Sequence, residues 1–291
     1  MGISHLTYSK TALPGEAFTR TLPLMQAPPP VALTLAGSDC SAGAGLQADL
    51  KTFQHFRVHG LSAVTCVVSE TANIVRAIHP VPPAIVADQL ALLLDAFPVA
   101  AIKTGMLFSA AHIRAIAEVL ARHPGIPLVI DPVMIASSGT ALLESDAVAA
   151  LRELLPRAAL VTPNLPEAEV LAGEPIADVD AMERVGRSLS GHFGVPFLVK
   201  GGHLDSGDCT DLLVENGRLH RFSTARIDLP GSHGTGCTFS AAIAANLARG
   251  HALPDAVARA KTYLTRSLAE SYGFTSPAGG SVHALNQGTA F

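Results

Sequence analysis

The segment Val31-Ala32-Leu33-Thr34-Leu35-Ala36-Gly37-Ser38-Asp39 is a short, mostly apolar run that stops on a glycine and two polar side chains. Close behind it, Gly43-Ala44-Gly45 opens a helical pattern that runs through Asp49 to Phe53. Strand, glycine loop and helix in this order form the repeating unit of a parallel sheet. The alternation continues outward. Apolar runs recur at Ser62 to Val68, Ala100 to Lys103, Pro127 to Asp131, Ala159 to Thr162 and Phe197 to Lys200. Amphipathic stretches separate them, among them Ala84 to Phe97, Ala110 to Arg122 behind a Ser109 cap, and Asp180 to Phe193. Strands this short and this apolar are buried on both faces, which predicts a three-layer α/β/α sandwich around a mainly parallel sheet. The rhythm changes at Asp211 to Ile227, where two short runs flank Glu215-Asn216-Gly217-Arg218 and predict a small antiparallel hairpin. Helices follow at about Gly236 to Arg249 and Pro254 to Ser271.

The chain has 291 residues, of which 48% are hydrophobic and 15% charged, enough for a large buried core in one domain. Residues 1–30 lack periodicity and end in Pro28-Pro29-Pro30, so they read as a flexible extension. Residues 31–275 form the expected single domain, and 276–291 a Gly/Ser-rich tail. A net charge of −4 offers no electrostatic ground for nucleic acid or an anionic membrane surface as partner. The run Leu90 to Leu94 is cut by Asp95, far short of the ~20 apolar residues a membrane helix needs. Four widely spaced cysteines, Cys40, Cys66, Cys209 and Cys237, form no CxxC pair. A cytoplasmic, reducing setting is expected.

In parallel sheets ligands bind beyond the carboxyl ends of the strands. Five strand ends here carry polar groups with a glycine or proline turn: Gly37-Ser38-Asp39, Lys103-Thr104-Gly105-Met106, Asp131-Pro132, Thr162-Pro163-Asn164 and Lys200-Gly201-Gly202-His203. Five on one edge point to one composite site. The stretch Leu229-Pro230-Gly231-Ser232-His233-Gly234-Thr235-Gly236-Cys237 runs straight into an Ala-rich helix. Its glycines let backbone N–H groups converge on an oxyanion, and the helix adds about half a positive charge at that end. Cys237 sits in that field, so a lowered thiol pKa is expected.

The candidate groups separate by chemistry. Lys200, Lys261 and the amides of Gly234, Thr235 and Gly236 suit a polyphosphate. Asp131, Asn164 and Glu167 are oxygen ligands suited to Mg²⁺ held through water. Together they are the parts of phosphoryl transfer. The Gly43-Ala44-Gly45 loop lacks GxGxxG spacing and a Walker lysine, so it falls to the acceptor, with Asp49 and Glu70 bonding the edge of a polar ring and Met106 and Val133 as apolar walls.

These residues resemble a known family. Ala36-Gly37-Ser38-Asp39 with Gly45 to Phe53, Lys103-Thr104-Gly105-Met106-Leu107, Val129 to Met134, Thr162 to Ala168, Lys200 to His203 and His233 to Thr238 are similar, in order, to the hydroxymethylpyrimidine/phosphomethylpyrimidine kinases of thiamine synthesis, of the ribokinase-like superfamily. The resemblance implies the fold, ATP and Mg²⁺, a homodimer, and two successive transfers, to the hydroxymethyl group and then to the new phosphate. It places Gly37, Ala44, Asp49, Val68, Glu70, Gly105, Met106 and Val133 around the aminopyrimidine. Lys200, Lys261, Asn164, Gly234 and Gly236 fall around the nucleotide, with Asp131 and Glu167 at the metal. Cys237, with Gly234, Thr235, Gly236 and Lys200, falls at the catalytic centre. Superfamily relatives usually carry Asp where Cys237 stands, which makes Cys237 the expected base for the first transfer.

Two departures from the family pattern are Glu70-Thr71-Ala72-Asn73 after the second strand and Gly279-Gly280-Ser281-Val282-His283 near the C-terminus. The alternatives are a pyridoxal kinase, which shares nearly all these motifs, and a vitamin-binding module without turnover. A nicotinamide dehydrogenase lacks its glycine fingerprint here.

Overall fold

The computed structural model describes residues 27–134, 142–143, 146–202, 208–229, 231, 233–277 and 279–288. Expectations that rest on the first 26 residues, on His203, or on Pro230 and Ser232 of the glycine loop lie outside them. In chain order the strands are β1 (Val31–Asp39), β2 (His59–Thr71), β3 (Ile74–Pro80), β4 (Val99–Thr104), β5 (Leu128–Ile130), β6 (Leu160–Val161), β7 (Phe197–Lys200), β8 (Asp208–Glu215), β9 (Arg218–Ala225), β10 (Tyr272–Thr275) and β11 (Ser281–Ala284). The helices are α1 (Gly45–His55), α2 (Pro83–Ala96), α3 (Ala110–Leu120), α4 (Ala147–Leu154), α5 (Leu165–Ala172), α6 (Val179–Phe193), α7 (Thr235–Ala248) and α8 (Leu253–Ala269).

Nine strands make one sheet in the order β3-β2-β1-β4-β5-β6-β7-β8-β9. The six from β2 to β7 are parallel. β3 joins one edge antiparallel, and β8 and β9 extend the other the same way. The hairpin expected at Asp211 to Ile227 is therefore a sheet edge. Its two-residue turn, Asn216-Gly217, has φ of 49° and 75°, the left-handed pair that matches strand twist. β10 and β11 form a separate two-stranded hairpin.

Period-two alternation sorts the two core faces. Ala32, Ala101, Val129, Leu160 and Leu198 belong to the cluster containing Phe239 and the alanines of α7, with residues of α8. Their neighbours Leu33, Ile102, Ile130, Val161 and Val199 belong to the cluster containing Val86, Ile113, Leu151 and Val185 from α2, α3, α4 and α6. α7 is buried along most of its length, and Ala241, Ala242, Ala244, Ala245 and Ala248 let it lie close to the sheet, α1 and α8. Ser109 stands at the N-cap of α3, but its hydroxyl meets His112 Nδ1 at 2.7 Å and makes no cap bond.

β1 has β2 on one side and β4 on the other, so the winding reverses beside it. Such a reversal parts the loops that follow adjacent strands and leaves a crevice at their carboxyl ends.

Candidate functional site

A cleft of about 670 Å³ opens along these carboxyl ends. It takes in the ends of β1, β2, β4 and β5 on one side, the end of β7 and the start of the antiparallel β8 with α8 on the other, and the start of α7 between them. Gly37, Ala44, Val68, Glu70, Gly105, Met106 and Val133 line the first side. Asn164, Lys200 and Lys261 line the second, with Asp131, Glu167, Gly234, Thr235, Gly236 and Cys237 also on the wall. Asp49 is the exception among the sequence candidates: it is fully buried and not on the wall.

The opening turn of α7 is shaped by two glycines. Gly234, its N-cap, has φ of 82°, and a Cβ there would overlap the Gly43 carbonyl. A Cβ on Gly236 would stand 3.2 Å from Lys200 Nζ. Glycine at both positions lets the β1–α1 loop and a lysine press against one helix start.

Each lysine of this region is held by a carboxylate. Lys200 Nζ lies 2.9 Å from Asp131 Oδ1, and Lys261 Nζ lies 2.6 Å from Asp211 Oδ2, both largely buried. Burial alone would lower their pKa values; the facing carboxylates outweigh it and raise both. Glu167 closes a capping box with Asn164: its carboxylate accepts from Asn164 N–H at 2.9 Å while Asn164 Oδ1 accepts from Glu167 N–H at 2.9 Å. Burial, partly offset by Lys200 and reinforced by Asp131, pushes the Glu167 carboxyl up to about 7. Asp131 and Glu167 are thus two buried carboxylates with oxygens of the kind a hydrated dication takes. Among the described residues no group of three or more His, Cys, Asp or Glu could cage a metal by itself.

On the opposite side, Glu70 precedes the two-residue β2–β3 turn, Ala72-Asn73, at a register shift between Ser69 and Glu70. Burial, then the Asp39 charge, raises the Glu70 carboxyl to about 7. Met106 packs with Cys66 and Val68, with half-buried Val133 against them. The Cys66 thiol lies 3.6 Å from Met106 Sδ.

Two expectations are corrected. Asp49 does not face the cleft: on α1 it points into the sheet, accepting from Thr34 Oγ1 at 2.6 Å and pairing with Lys103 Nζ at 2.9 Å, both side chains fully buried. Burial would lower the Lys103 pKa, but the charge and hydrogen bond of Asp49 together with Cys237 and Asp131 prevail and keep the ammonium well above its ordinary pKa. Cys237 receives a hydrogen bond from Gly45 N–H, the first residue of α1, so two helix starts meet at its sulfur. Even so, its pKa moves up, to about 11, because burial outweighs the Lys103 charge while Asp49 and Asp131 oppose ionisation.

Asp39 is marked in the sequence only as part of a polar strand end, with no role of its own, and Gln287 is not marked at all. Asp39 Oδ2 accepts from Gly43 N–H at 3.0 Å and Ala44 N–H at 2.7 Å, and lies 2.9 Å from His233 Nε2. Burial would raise its pKa, but the bonds from His233, Ser41 and Ala44 prevail and hold the carboxyl far below its usual range. One carboxylate thereby clasps the acceptor loop to the α7 loop. Gln287 braces the same junction, donating to Gly43 O at 3.0 Å and Thr238 Oγ1 at 2.9 Å. The signal for Asp39 was its place at a strand end before a glycine loop; Gln287 left none.

A family model described as phosphomethylpyrimidine kinase matches residues 39–282. The chain is 47% identical over 237 residues to the thiamine biosynthesis bifunctional protein ThiED of Geobacter sulfurreducens, covering 81% of this chain and 48% of that protein. It is 45% identical over 240 residues to the hydroxymethylpyrimidine/phosphomethylpyrimidine kinase of Rhizobium meliloti, covering 82% of this chain and 90% of the relative. Among solved structures, an ADP complex of Bacillus subtilis pyridoxal kinase superposes with a TM-score of 0.80 at 34% identity, covering 89% of this chain and 97% of that one. By its motifs, its fold and these matches, the chain belongs to the phosphomethylpyrimidine kinase family.

Proposed function

We infer that this protein is the ATP-dependent kinase of thiamine biosynthesis that phosphorylates 4-amino-5-hydroxymethyl-2-methylpyrimidine, and then its monophosphate to the diphosphate. One observation carries the reading: a single cleft joins a glycine-rich helix start and two carboxylate-paired lysines to a small apolar pocket with one carboxyl group, and Cys237 lies between. In this reading Lys200 and Lys261 neutralise the polyphosphate, and the opening turn of α7 cradles the phosphoryl group in transfer. Asp131 and Glu167, the latter set by Asn164, hold Mg²⁺ through water; when bound, the ion supplies charge neutralisation on the phosphate oxygens. Glu70 takes the aminopyrimidine edge, and Gly37, Ala44, Val68, Gly105, Met106 and Val133 form its walls. Asp49 supports that wall from beneath through Lys103.

Cys237 is the base for the hydroxymethyl proton. With its thiol at about 11, roughly one molecule in 10⁴ carries the thiolate at pH 7, so the first transfer quickens as pH rises. The second transfer needs no base, because its acceptor is already an anion. Cys237→Ala therefore slows the first transfer by about 10²-fold or more and leaves the second within a few fold. Equal losses on the two acceptors would overturn that division.

The deciding assay is ATP turnover with hydroxymethylpyrimidine, its monophosphate and pyridoxal side by side. Pyridoxal turnover equal to or above that of the pyrimidine would favour the second reading, a pyridoxal kinase, which the superposition on the Bacillus subtilis enzyme supports. Acceptor binding with no ATP consumed would favour a non-catalytic vitamin-binding module. The family resemblance further supports a cytoplasmic homodimer with one kinase unit over residues 31–275, which sedimentation of the full chain would test.

A further inference from the structure

β2 and β1 pair regularly only as far as Ala36; the register shifts between Ala36 and Ser38. A parallel ladder requires every second N–H of β2 to find an acceptor on β1. Pairing resumes in the shifted register, Ser38 with Val67 and Asp39 with Val68, and there side chains join the acceptors. Val68 N–H donates to Ser38 Oγ at 3.3 Å, and two residues on Glu70 N–H donates to Cys40 Sγ at 3.3 Å. The Cys40 thiol donates in turn to the Glu70 carbonyl at 3.0 Å. Both main-chain polar groups of Glu70 thus meet one sulfur atom. On its other flank Glu70 sits at the register shift between β2 and β3, where a bulge re-aims the side chain. Glu70 is therefore at irregular ladder positions on both sides, and Cys40 is what holds its backbone from β1. Cys40 itself is exposed and does not line the cleft, whereas Glu70 does.

We propose that Cys40 is a positioning residue for acceptor recognition: its thiol bridges the N–H and C=O of Glu70 and fixes the direction in which the Glu70 carboxyl meets the acceptor ring. The inference rests on the reading of Glu70 as the acceptor-binding carboxyl. A thiol offers one weak donor and one weak acceptor, and a serine hydroxyl offers the same pair in stronger form, whereas alanine offers neither. The contact acts on the acceptor end alone, because Cys40 touches no group that faces the nucleotide.

The test is steady-state kinetics of the full chain with hydroxymethylpyrimidine varied at saturating ATP, then ATP varied. Cys40→Ala raises the acceptor KM about fivefold, the loss expected of two weak hydrogen bonds, and leaves kcat and the ATP KM within about twofold. Cys40→Ser restores most of the acceptor KM. In a Glu70→Ala background, Cys40→Ala adds no further rise, since the group it positions is gone. An unchanged acceptor KM in Cys40→Ala, a parallel rise in the ATP KM, or the same rise with Glu70 absent overturns the proposal. An unchanged KM in Glu70→Ala alone removes the reading of Glu70, and the proposal with it. A thermal melt of each variant separates kinetic effects from loss of fold, and Cys40→Val, which fills the space without donor or acceptor, carries the test if the alanine variant is unfolded.

Discussion

The two ends of the cleft are built differently. At the β7–β8 end, each lysine is locked to a buried carboxylate, Lys200 to Asp131 and Lys261 to Asp211, and Glu167 is fixed in a capping box. At the β1–β2–β4 end the carboxylates Asp49, paired with Lys103, and Asp39, paired with His233, lie off the cleft wall. The contacts nearer the acceptor side are soft: Cys66 against Met106, Cys40 on the Glu70 backbone, and two non-glycine residues in the left-handed region, Ala42 at φ 60° and Phe108 at φ 68°. In the proposed function, strong paired charges suit the part of the reaction that never varies, the polyphosphate. Weak sulfur contacts and irregular backbone suit the part that chooses among ring acceptors, because small substitutions there move a side chain without releasing a buried charge.

The comparison breaks most visibly at Lys200. Lys200→Met removes a cation from the proposed phosphate path and leaves Asp131, 2% exposed, without its ion-pair partner. A loss of about 10²–10³-fold in kcat is expected, equal for the pyrimidine and its monophosphate, because both reactions pass the same polyphosphate. Stability falls by about 3–5 kcal/mol from the orphaned charge, and Lys200→Met with Asp131→Asn recovers most of it while activity stays low. Unequal losses on the two acceptors, measured by single-acceptor assays, would erase the division between the ends.

A smaller effect is expected at Glu70, whose carboxyl stands at about 7 through burial and the Asp39 charge. Below that pH it carries a proton and offers a donor beside an acceptor, the complement of a ring nitrogen next to an amino group. Above it the carboxylate only accepts, and the ring nitrogen loses its donor. The acceptor KM therefore rises between pH 6 and 8, by at most about tenfold per unit on the alkaline side. Glu70→Gln keeps one donor and one acceptor at every pH, so its KM is flat apart from the ring's own titration. A pH profile unchanged by that substitution would show that Glu70 does not share the proton.

Legibility in the sequence follows the same line. The parallel strands announced themselves as apolar runs, and their ends carried the polar groups that line the cleft. β3 did not, because Ile74 to Pro80 lies at the sheet edge and mixes Arg76 and His79 with apolar residues, so Glu70-Thr71-Ala72-Asn73 gave no sign of a hairpin turn. Asp49 misled for another reason. A carboxylate on an inward helix face looks functional until its partner is found, and Lys103 lies 54 residues away on β4. At Cys237 the helix field is legible in Gly234-Thr235-Gly236, but the burial that overrides it depends on packing that no local stretch encodes.

The smallest effect concerns Ala42, the left-handed residue in the loop that Asp39 holds. An L side chain in that conformation costs roughly 1–2 kcal/mol, which glycine avoids at some cost in unfolded-chain entropy. Ala42→Gly should therefore stabilise the chain by about 1 kcal/mol, read as a rise of about 2 °C in Tm. The acceptor KM should not move, because Asp39 fixes the Gly43 and Ala44 amides and Lys51 Nζ holds the Ala42 carbonyl at 2.6 Å, whichever residue stands at 42. A higher Tm with a weaker acceptor KM would mean that the strained loop itself presses Ala44 against the ring, so that the soft end of the cleft draws its selectivity from backbone tension as well as from side chains.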